Sequence, residues 1–221
     1  MKILALDTAT ESCSVALTIE GAVIEQQVTG RQHAESILPL IDRLFAQAQY
    51  RPDELDVIAF GRGPGMFTSL RIGAGVAQGI AFAAGVPVVA VSSLAALAQG
   101  QPSDHVVALF DARMEQVYWG CYMRNEDGIM KLIGTEQVGA PAAVVLPEGD
   151  WQPAGSGWDQ YESRLQRVLG GATSNAIRGS VPSARDVARL GEIGFQQGLA
   201  VPASQALPVY IRDDIARKSV A

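Results

Sequence analysis

The sequence predicts an α/β fold built from two similar lobes, each a mixed sheet with helices. In the first half, the order of patterns is three strands, helix, strand, helix, strand, helix. A second group of three strand-like runs begins near residue 105, after a turn-rich junction at residues 100–102. Strands that alternate with helices favour right-handed crossovers and layered packing. We expect an N-terminal lobe over residues 1–102 and a smaller C-terminal lobe over residues 103–221, with the last segment packing back on the N-terminal lobe.

The elements of the first half follow from apolar spacing and from turn residues. A strand meander comes first, with the turn-like pair Glu20-Gly21 between its second and third strands. An amphipathic helix follows, and Pro39 lies close enough to its start to be tolerated. The predicted bounds are strands at Lys2–Thr8, Ser12–Ile19, Ala22–Val28, Asp56–Gly61 and Pro87–Ser92, and helices at His33–Gln47, Thr68–Ala84 and Ser93–Gln99.

The second half repeats the meander and then becomes more helical. Ser92 or Ser93 is expected to cap the last helix of the first half, so the repeat begins after it. The predicted strands are His105–Asp111, Gln116–Met123, Met130–Val138 and Trp151–Ala154, and the predicted helices are Pro141–Leu146, Trp158–Leu169 and Ser183–Gln197.

One long segment without charge raises the question of a membrane span. No charged residue occurs from Ile72 to Ser103. Several glycines and Gln78 dilute its apolarity, and Val86-Pro87 ends the helix before a short β-branched strand. We therefore predict a buried helix followed by a buried strand, and no membrane association.

A glycine-rich segment connects a strand to a helix. Gly61, Gly63 and Gly65 bare the backbone where the helix begins, and Thr68 or Ser69 is expected to cap it. The amide groups and dipole of such a helix favour an anion. The spacing matches neither the P-loop nor the dinucleotide fingerprint. Both a nucleotide site and a purely structural turn are compatible with this pattern.

Charge and cysteine content limit the functional classes. The formal net charge is −6, and there is no Lys/Arg cluster, so unaided binding to a nucleic-acid backbone is not expected. Cys13 and Cys121 are far apart, which gives no support for a zinc ribbon or a disulfide framework. The apolar run at the N-terminus is cut short by Asp7, and we expect a cytoplasmic protein with reduced thiols.

Three segments carry a family resemblance. The two meanders, with Asp7-Thr8 at the tip of the first hairpin, resemble the superfamily of actin, sugar kinases and the Hsp70 ATPase domain. The segments Ile3–Ala16, Gly61–Gly73 and Pro208–Lys218 together resemble the TsaB (YeaZ) family. The resemblance implies an actin-like fold and a non-catalytic subunit of the machinery that makes threonylcarbamoyladenosine in tRNAs reading codons that begin with adenine. It also implies a TsaD-type catalytic paralogue and a TsaE-type ATPase as partners, with tRNA contacted only indirectly.

The cleft expected from this resemblance is degenerate. Its remnant consists of Asp7, Thr8, Gly63, Gly65 and Asp111. Nucleotide-binding relatives resemble Asp-x-Gly-Thr at the first turn, whereas Ala9 stands here in place of the glycine and narrows the approach of a phosphate. We expect no tightly bound cofactor, and ATP or ADP with magnesium only at an interface between subunits.

Metal and nucleophile chemistry have little support. Active paralogues resemble one another in carrying V-N-H-x-E-G-H after the glycine-rich helix, and Ser93 and Leu97 occupy the two histidine places here. Cys13 and Cys121 lie in apolar strand patterns, where a thiol is usually inert. We expect neither a metal site nor catalytic residues. An active ATPase or small-molecule kinase stays as the alternative, and a metallopeptidase is disfavoured.

The helix Thr68–Ala84 predicts a partner surface. It has few strongly polar positions, so both of its faces need cover, and its small residues allow another helix to approach closely. We expect the interface to bind the TsaD-type paralogue, or a second copy of this chain when the paralogue is absent. The predicted interface residues are Ile37, Leu40, Leu44, Phe45, Arg71, Gly75, Val76 and Gly79.

Overall fold

The computed structural model describes residues 1–30, 32–173 and 176–211. Its first sheet has the order β3-β2-β1-β4-β5, in which β1 to β3 form an antiparallel meander and β4 and β5 run parallel to β1. These strands are β1 (Lys2–Asp7), β2 (Ser12–Ile19), β3 (Ala22–Thr29), β4 (Val57–Gly61) and β5 (Val88–Val91).

Both faces of the first sheet are covered by helices. Leu4 and Leu6 point to the face that packs against α1 (His33–Ala48) and α2 (Phe67–Ala84). Ile3 and Ala5 alternate to the other face, which packs against α5 (Ala184–Gln196). Alternate strand residues point to opposite faces of a sheet, so two-sided cover requires apolar residues at almost every position of β1. The helix α5, from the second half of the sequence, therefore completes the first lobe.

The second sheet repeats the meander and one parallel strand, in the order β8-β7-β6-β9. Its strands are β6 (His105–Arg113), β7 (Gln116–Arg124), β8 (Met130–Gly139) and β9 (Gln152–Ala154). On one face lies α3 (Ser93–Gln99), and on the other lies α4 (Ser156–Leu169), whose Trp158 is fully buried. The helix α3 also packs against α5, so it joins the two lobes.

The two-lobed α/β fold predicted from the sequence is confirmed, with two local corrections. The predicted helix at 141–146 is a single 3-10 turn, Pro141–Ala143, because Pro147 follows closely. Neither Thr68 nor Ser69 caps α2. The N-cap is Met66, which makes no side-chain capping bond, because the chain enters the helix one residue earlier than predicted. No helix in the described part of the chain is long and apolar enough to cross a membrane.

Candidate functional site

The glycine-rich segment closes onto the first hairpin. The amide of Met66, at the start of α2, donates to the carbonyl of Ala9 over 2.9 Å. A Cβ atom at Gly65 would lie 2.4 Å from that same carbonyl oxygen and 2.7 Å from the Ala9 methyl group. The backbone of Ala9 therefore packs against the start of α2 and takes up the amide of its N-cap residue. The structure brings Asp7, Thr8 and Gly65 together, and the hairpin itself takes up the space between them.

Thr8 and Gly63 serve packing contacts in the same region. The hydroxyl of Thr8 donates to the Ser69 carbonyl over 2.7 Å. A Cβ at Gly73 would lie 2.4 Å from the Thr8 hydroxyl, so this glycine lets α2 approach the hairpin. Gly63 has φ of +99° and lies against Leu70.

Asp7 is a buried carboxyl group that bonds within its own lobe. It accepts a hydrogen bond from the Ser93 hydroxyl over 2.7 Å and one from the Ala9 amide over 2.9 Å. Burial raises the pKa of Asp7 to about 6, and these two hydrogen bonds offset part of the increase. The Ser93 hydroxyl thus satisfies one oxygen of Asp7, and the Ala9 amide satisfies the other.

Asp111 is held by its own lobe. Its carboxylate pairs with Arg113 at 3.1 Å and accepts a hydrogen bond from the Tyr161 hydroxyl over 3.2 Å. The glycines of Gly155-Ser156-Gly157 allow close packing on β6, since a Cβ at Gly155 would lie 2.3 Å from the Leu109 carbonyl. Asp111 is thus anchored by side chains of the second lobe, whereas Asp7 is anchored by Ser93.

Four polar side chains connect the lobes, and sequence reasoning missed them. In this interlobe cluster, Glu136 of β8 accepts hydrogen bonds from the Tyr122 hydroxyl over 2.6 Å and from the Ser92 hydroxyl. Arg62, directly after β4, lies 3.6 Å from the other Glu136 oxygen. The Glu136 side chain is only 8% exposed. Burial, followed by the nearby Glu136 carboxylate, raises the pKa of Tyr122. Two side chains from each lobe therefore connect the lobes across the cleft by hydrogen bonds and an ion pair.

A bulge explains why this cluster was not predicted. Trp119 pairs with Gln137 and Cys121 with Ile133, so three residues of β8 lie opposite Gly120. Gly134 adopts φ of +80° inside that bulge. The alternation of side chains is lost there, and with it the pattern that would have placed Glu136 facing the cleft.

The residues of the predicted partner surface divide between buried and exposed positions. Leu40, Leu44 and Phe45 do not face outward, because the apolar stripe of α1 is the one that packs on the sheet. Ile37 is also almost fully buried and lies at the floor of a groove between α1 and α2. We call this the helix groove; its volume is about 500 Å³ and its described lining is Ala34, Ile37, Leu38, Arg71, Ile72, Gly75, Val76, Gly79 and Ile80.

The outer side of α2 is open along its length. Gly75 and Gly79 are exposed, and a Cβ at either position would meet no other atom within 4 Å. Phe67 is 54% exposed near one end of the helix, and Phe82 is 84% exposed near the other. Among the predicted residues, Arg71, Gly75, Val76 and Gly79 thus lie at the surface. Leu38, which the sequence analysis did not select, supplies the exposed apolar side chain of α1.

The C-terminal segment runs beside the start of α2. The Val209 amide donates to the Arg62 carbonyl over 2.8 Å. The ring of Tyr210 lies 5.3 Å from that of Phe67, and its hydroxyl accepts a hydrogen bond from Arg71 Nε over 3.2 Å. The motif Pro208–Lys218 continues past residue 211, outside the described residues.

Metal-binding and nucleophilic groups are not assembled in the described part of the chain. Its His, Cys, Asp and Glu residues form no group of three or more that could hold a metal ion. Both cysteines are buried, and burial raises the pKa of each thiol to about 11, so both stay protonated at neutral pH.

The chain is similar in sequence and in structure to known proteins. The family model described as "TsaD: tRNA N6-adenosine threonylcarbamoyltransferase" matches residues 18–208. The chain is 37% identical to the tRNA threonylcarbamoyladenosine biosynthesis protein TsaB of Escherichia coli, with 100% of this chain and 98% of that protein covered. The TsaB protein of Haemophilus influenzae is 34% identical, with 100% and 97% covered. The structure of YeaZ from Pseudomonas aeruginosa superposes with a TM-score of 0.89 at 44% identity, covering 95% of this chain and 99% of that one.

Proposed function

We propose that this chain, which belongs to the TsaB (YeaZ) family of tRNA threonylcarbamoyladenosine biosynthesis proteins, is a non-catalytic subunit that binds a TsaD-type paralogue. The observation that carries the proposal is the contrast between a cleft filled by the chain's own groups and a helix face left open. Ala9, Ser93 and Glu136 occupy the cleft. The helix groove has open glycines, and the exposed rings of Phe67 and Phe82 lie near the two ends of α2. A TsaE-type ATPase and tRNA are expected to join through the paralogue, in the cytoplasm.

The shared fold supports a TsaD-type subunit as the partner. The TsaD family model matches this chain over most of its length, so a TsaD-type subunit has a comparable lobe with a comparable helix pair. Two such lobes can pair their helix faces about a pseudo-twofold axis, as in an isologous dimer. Gly75 and Gly79 allow the helix backbones to approach closely. The same geometry explains why a homodimer is expected when the paralogue is absent.

In this proposal, a nucleotide binds only to the assembled complex and not to the isolated chain. The Ala9 carbonyl accepts a hydrogen bond from the Met66 amide at the start of α2, which supports weak phosphate binding by the isolated chain. ATP or ADP with magnesium is therefore expected only where a second subunit supplies further ligands.

The helix groove can be tested with a substitution that fits the free chain. Gly79→Arg adds a side chain where the monomer has open space, so this variant and the wild type should have equal thermal stability at a concentration where the wild type is monomeric. Binding to the TsaD-type subunit, measured by size-exclusion light scattering, should be lost because the arginine prevents close helix contact. Ser163→Arg, on the exposed side of α4, is the matched control and should bind normally. A Gly79→Arg protein that still forms the complex would contradict the proposed surface.

The non-catalytic role needs a separate test. Asp7→Asn keeps the size of the side chain and removes the charge: its oxygen can accept from the Ala9 amide, and its amino group can donate to the Ser93 hydroxyl. In a reconstituted reaction with TsaD-type and TsaE-type subunits, ATP and tRNA, transfer should require this chain and should survive the substitution. Loss of transfer in a complex that still assembles would assign Asp7 a chemical role.

A further inference from the structure

Arg71 is the charged residue among the described residues that line the helix groove, and its side chain is held in place. Its guanidinium carbon lies 3.9 Å from the centre of the Phe67 ring, a cation–π contact. Its Nε donates to the Tyr210 hydroxyl over 3.2 Å. One face of the guanidinium and one of its donors are thus occupied, whereas the two terminal amino groups form no hydrogen bond within the described chain.

Covering the helix groove would remove water from this charge. A desolvated arginine without a partner is costly, because its lost hydration is not replaced. Free surface arginines avoid this cost by moving into solvent, but the contacts with Phe67 and Tyr210 oppose that movement. No described Asp or Glu forms an ion pair with Arg71. A partner seated on the groove must therefore supply the acceptor.

We propose that Arg71 is a specificity-determining residue that binds a carboxylate on the docking helix of the TsaD-type subunit. The inference rests on the proposed function and adds the chemistry of one contact to it. A carboxylate matches the two terminal amino groups of arginine, which donate two parallel hydrogen bonds. The Phe67 and Tyr210 rings complete an Arg-aromatic cluster of the kind that dominates binding energy at protein interfaces. The C-terminal segment that carries Tyr210 is a positioning element of the same contact.

The experiment compares three arginine variants in binding to the TsaD-type subunit of the same organism by isothermal titration calorimetry. Arg71→Gln should weaken binding at least about thirtyfold, because it leaves a carboxylate unpaired at a desolvated site. Arg71→Lys should fall between Arg71→Gln and the wild type, since lysine keeps the charge and loses the planar pair of donors. Arg43→Gln, on the exposed side of α1, should bind within twofold of wild type. Thermal melts of the free variants should coincide.

Salt provides an independent readout that a purely steric role for Arg71 would not change. Raising NaCl from about 0.05 M to about 0.5 M should weaken wild-type binding more than binding of Arg71→Gln. Equal affinity of Arg71→Gln and wild type, with Gly79→Arg still preventing assembly, overturns the carboxylate contact and leaves the proposed surface intact. Unimpaired binding of Gly79→Arg rejects the surface itself.

Discussion

The cleft between the lobes and the outer face of α2 both contain glycines of one glycine-rich part of the chain, but these glycines have opposite surroundings in the two places. In the cleft, Gly65 and Gly73 are filled positions, where an added Cβ would collide with Ala9 or Thr8. On the helix face, Gly75 and Gly79 border empty space. Small residues permit another group to approach closely in both places. In the cleft that group belongs to this chain, whereas on the helix face the described chain supplies no such group. Within the cleft, the glycine-rich segment therefore serves internal packing, whereas the adjoining helix has an open surface.

The largest expected effect compares the two kinds of glycine directly. Gly65→Ala should lower the free energy of unfolding by about 3 kcal/mol, since the methyl group overlaps the Ala9 carbonyl. Gly75→Ala should leave stability unchanged or raise it by up to about 1 kcal/mol, because alanine favours the helix and meets no neighbour. Chemical denaturation of both variants measures the difference. Equal effects at the two positions would remove the distinction between filled and open sites.

The interlobe cluster offers a second, smaller contrast. Glu136→Ala should cost about 2–3 kcal/mol, because Tyr122, Ser92 and Arg62 all lose the same acceptor. Glu126→Ala, at an exposed position, is the control and should change stability by no more than about 0.5 kcal/mol. Affinity for the TsaD-type subunit should be the same in both variants. A large loss of affinity in Glu136→Ala alone would mean that cleft and helix face are not independent.

The smallest effect concerns the charge of Asp7. Its folded pKa, about 6, lies above the ordinary value of 3.8, so the native state binds more protons between these values. Stability contributed by the protonated form is therefore present below about pH 4 and is lost as pH rises through 6. Relative to wild type, Asp7→Asn should become more stable by roughly 2 kcal/mol as pH is raised from about 4.5 to about 7.

Urea unfolding at both pH values tests this expectation. Asp186, whose pKa burial also raises to about 6, titrates in both proteins and cancels in the difference. If the difference in unfolding free energy between wild type and Asp7→Asn does not change with pH, the Asp7 carboxyl is not desolvated as described.

The prediction from sequence was strongest where periodicity and burial agree. The meanders, the crossover helices and the Ser92 cap of α3 follow from local patterns. The surface predicted on α2 includes Gly75 and Gly79, and both of these residues are exposed. These features depend on residues a few positions apart, which a single sequence records directly.

Features that depend on distant residues were missed or misassigned. The stripe of Leu40, Leu44 and Phe45 was placed at an interface, although a stripe at that spacing usually covers the chain's own sheet. Glu136 was missed because a bulge breaks the alternation of β8. Tyr210 meets Arg71 across 139 positions of sequence, and no local signal indicates such a contact.

The position of α5 has a consequence for synthesis on the ribosome. The five strands of the first sheet are translated by Val91, but the helix that covers Ile3, Ala5 and Val57 begins only at Ala184. At about 5–20 residues per second, roughly 5–20 s pass between these two points. During that interval one apolar face of a nearly complete sheet remains open to water, to other nascent chains and to chaperones. The first lobe to be translated is therefore among the last parts of the molecule to be finished.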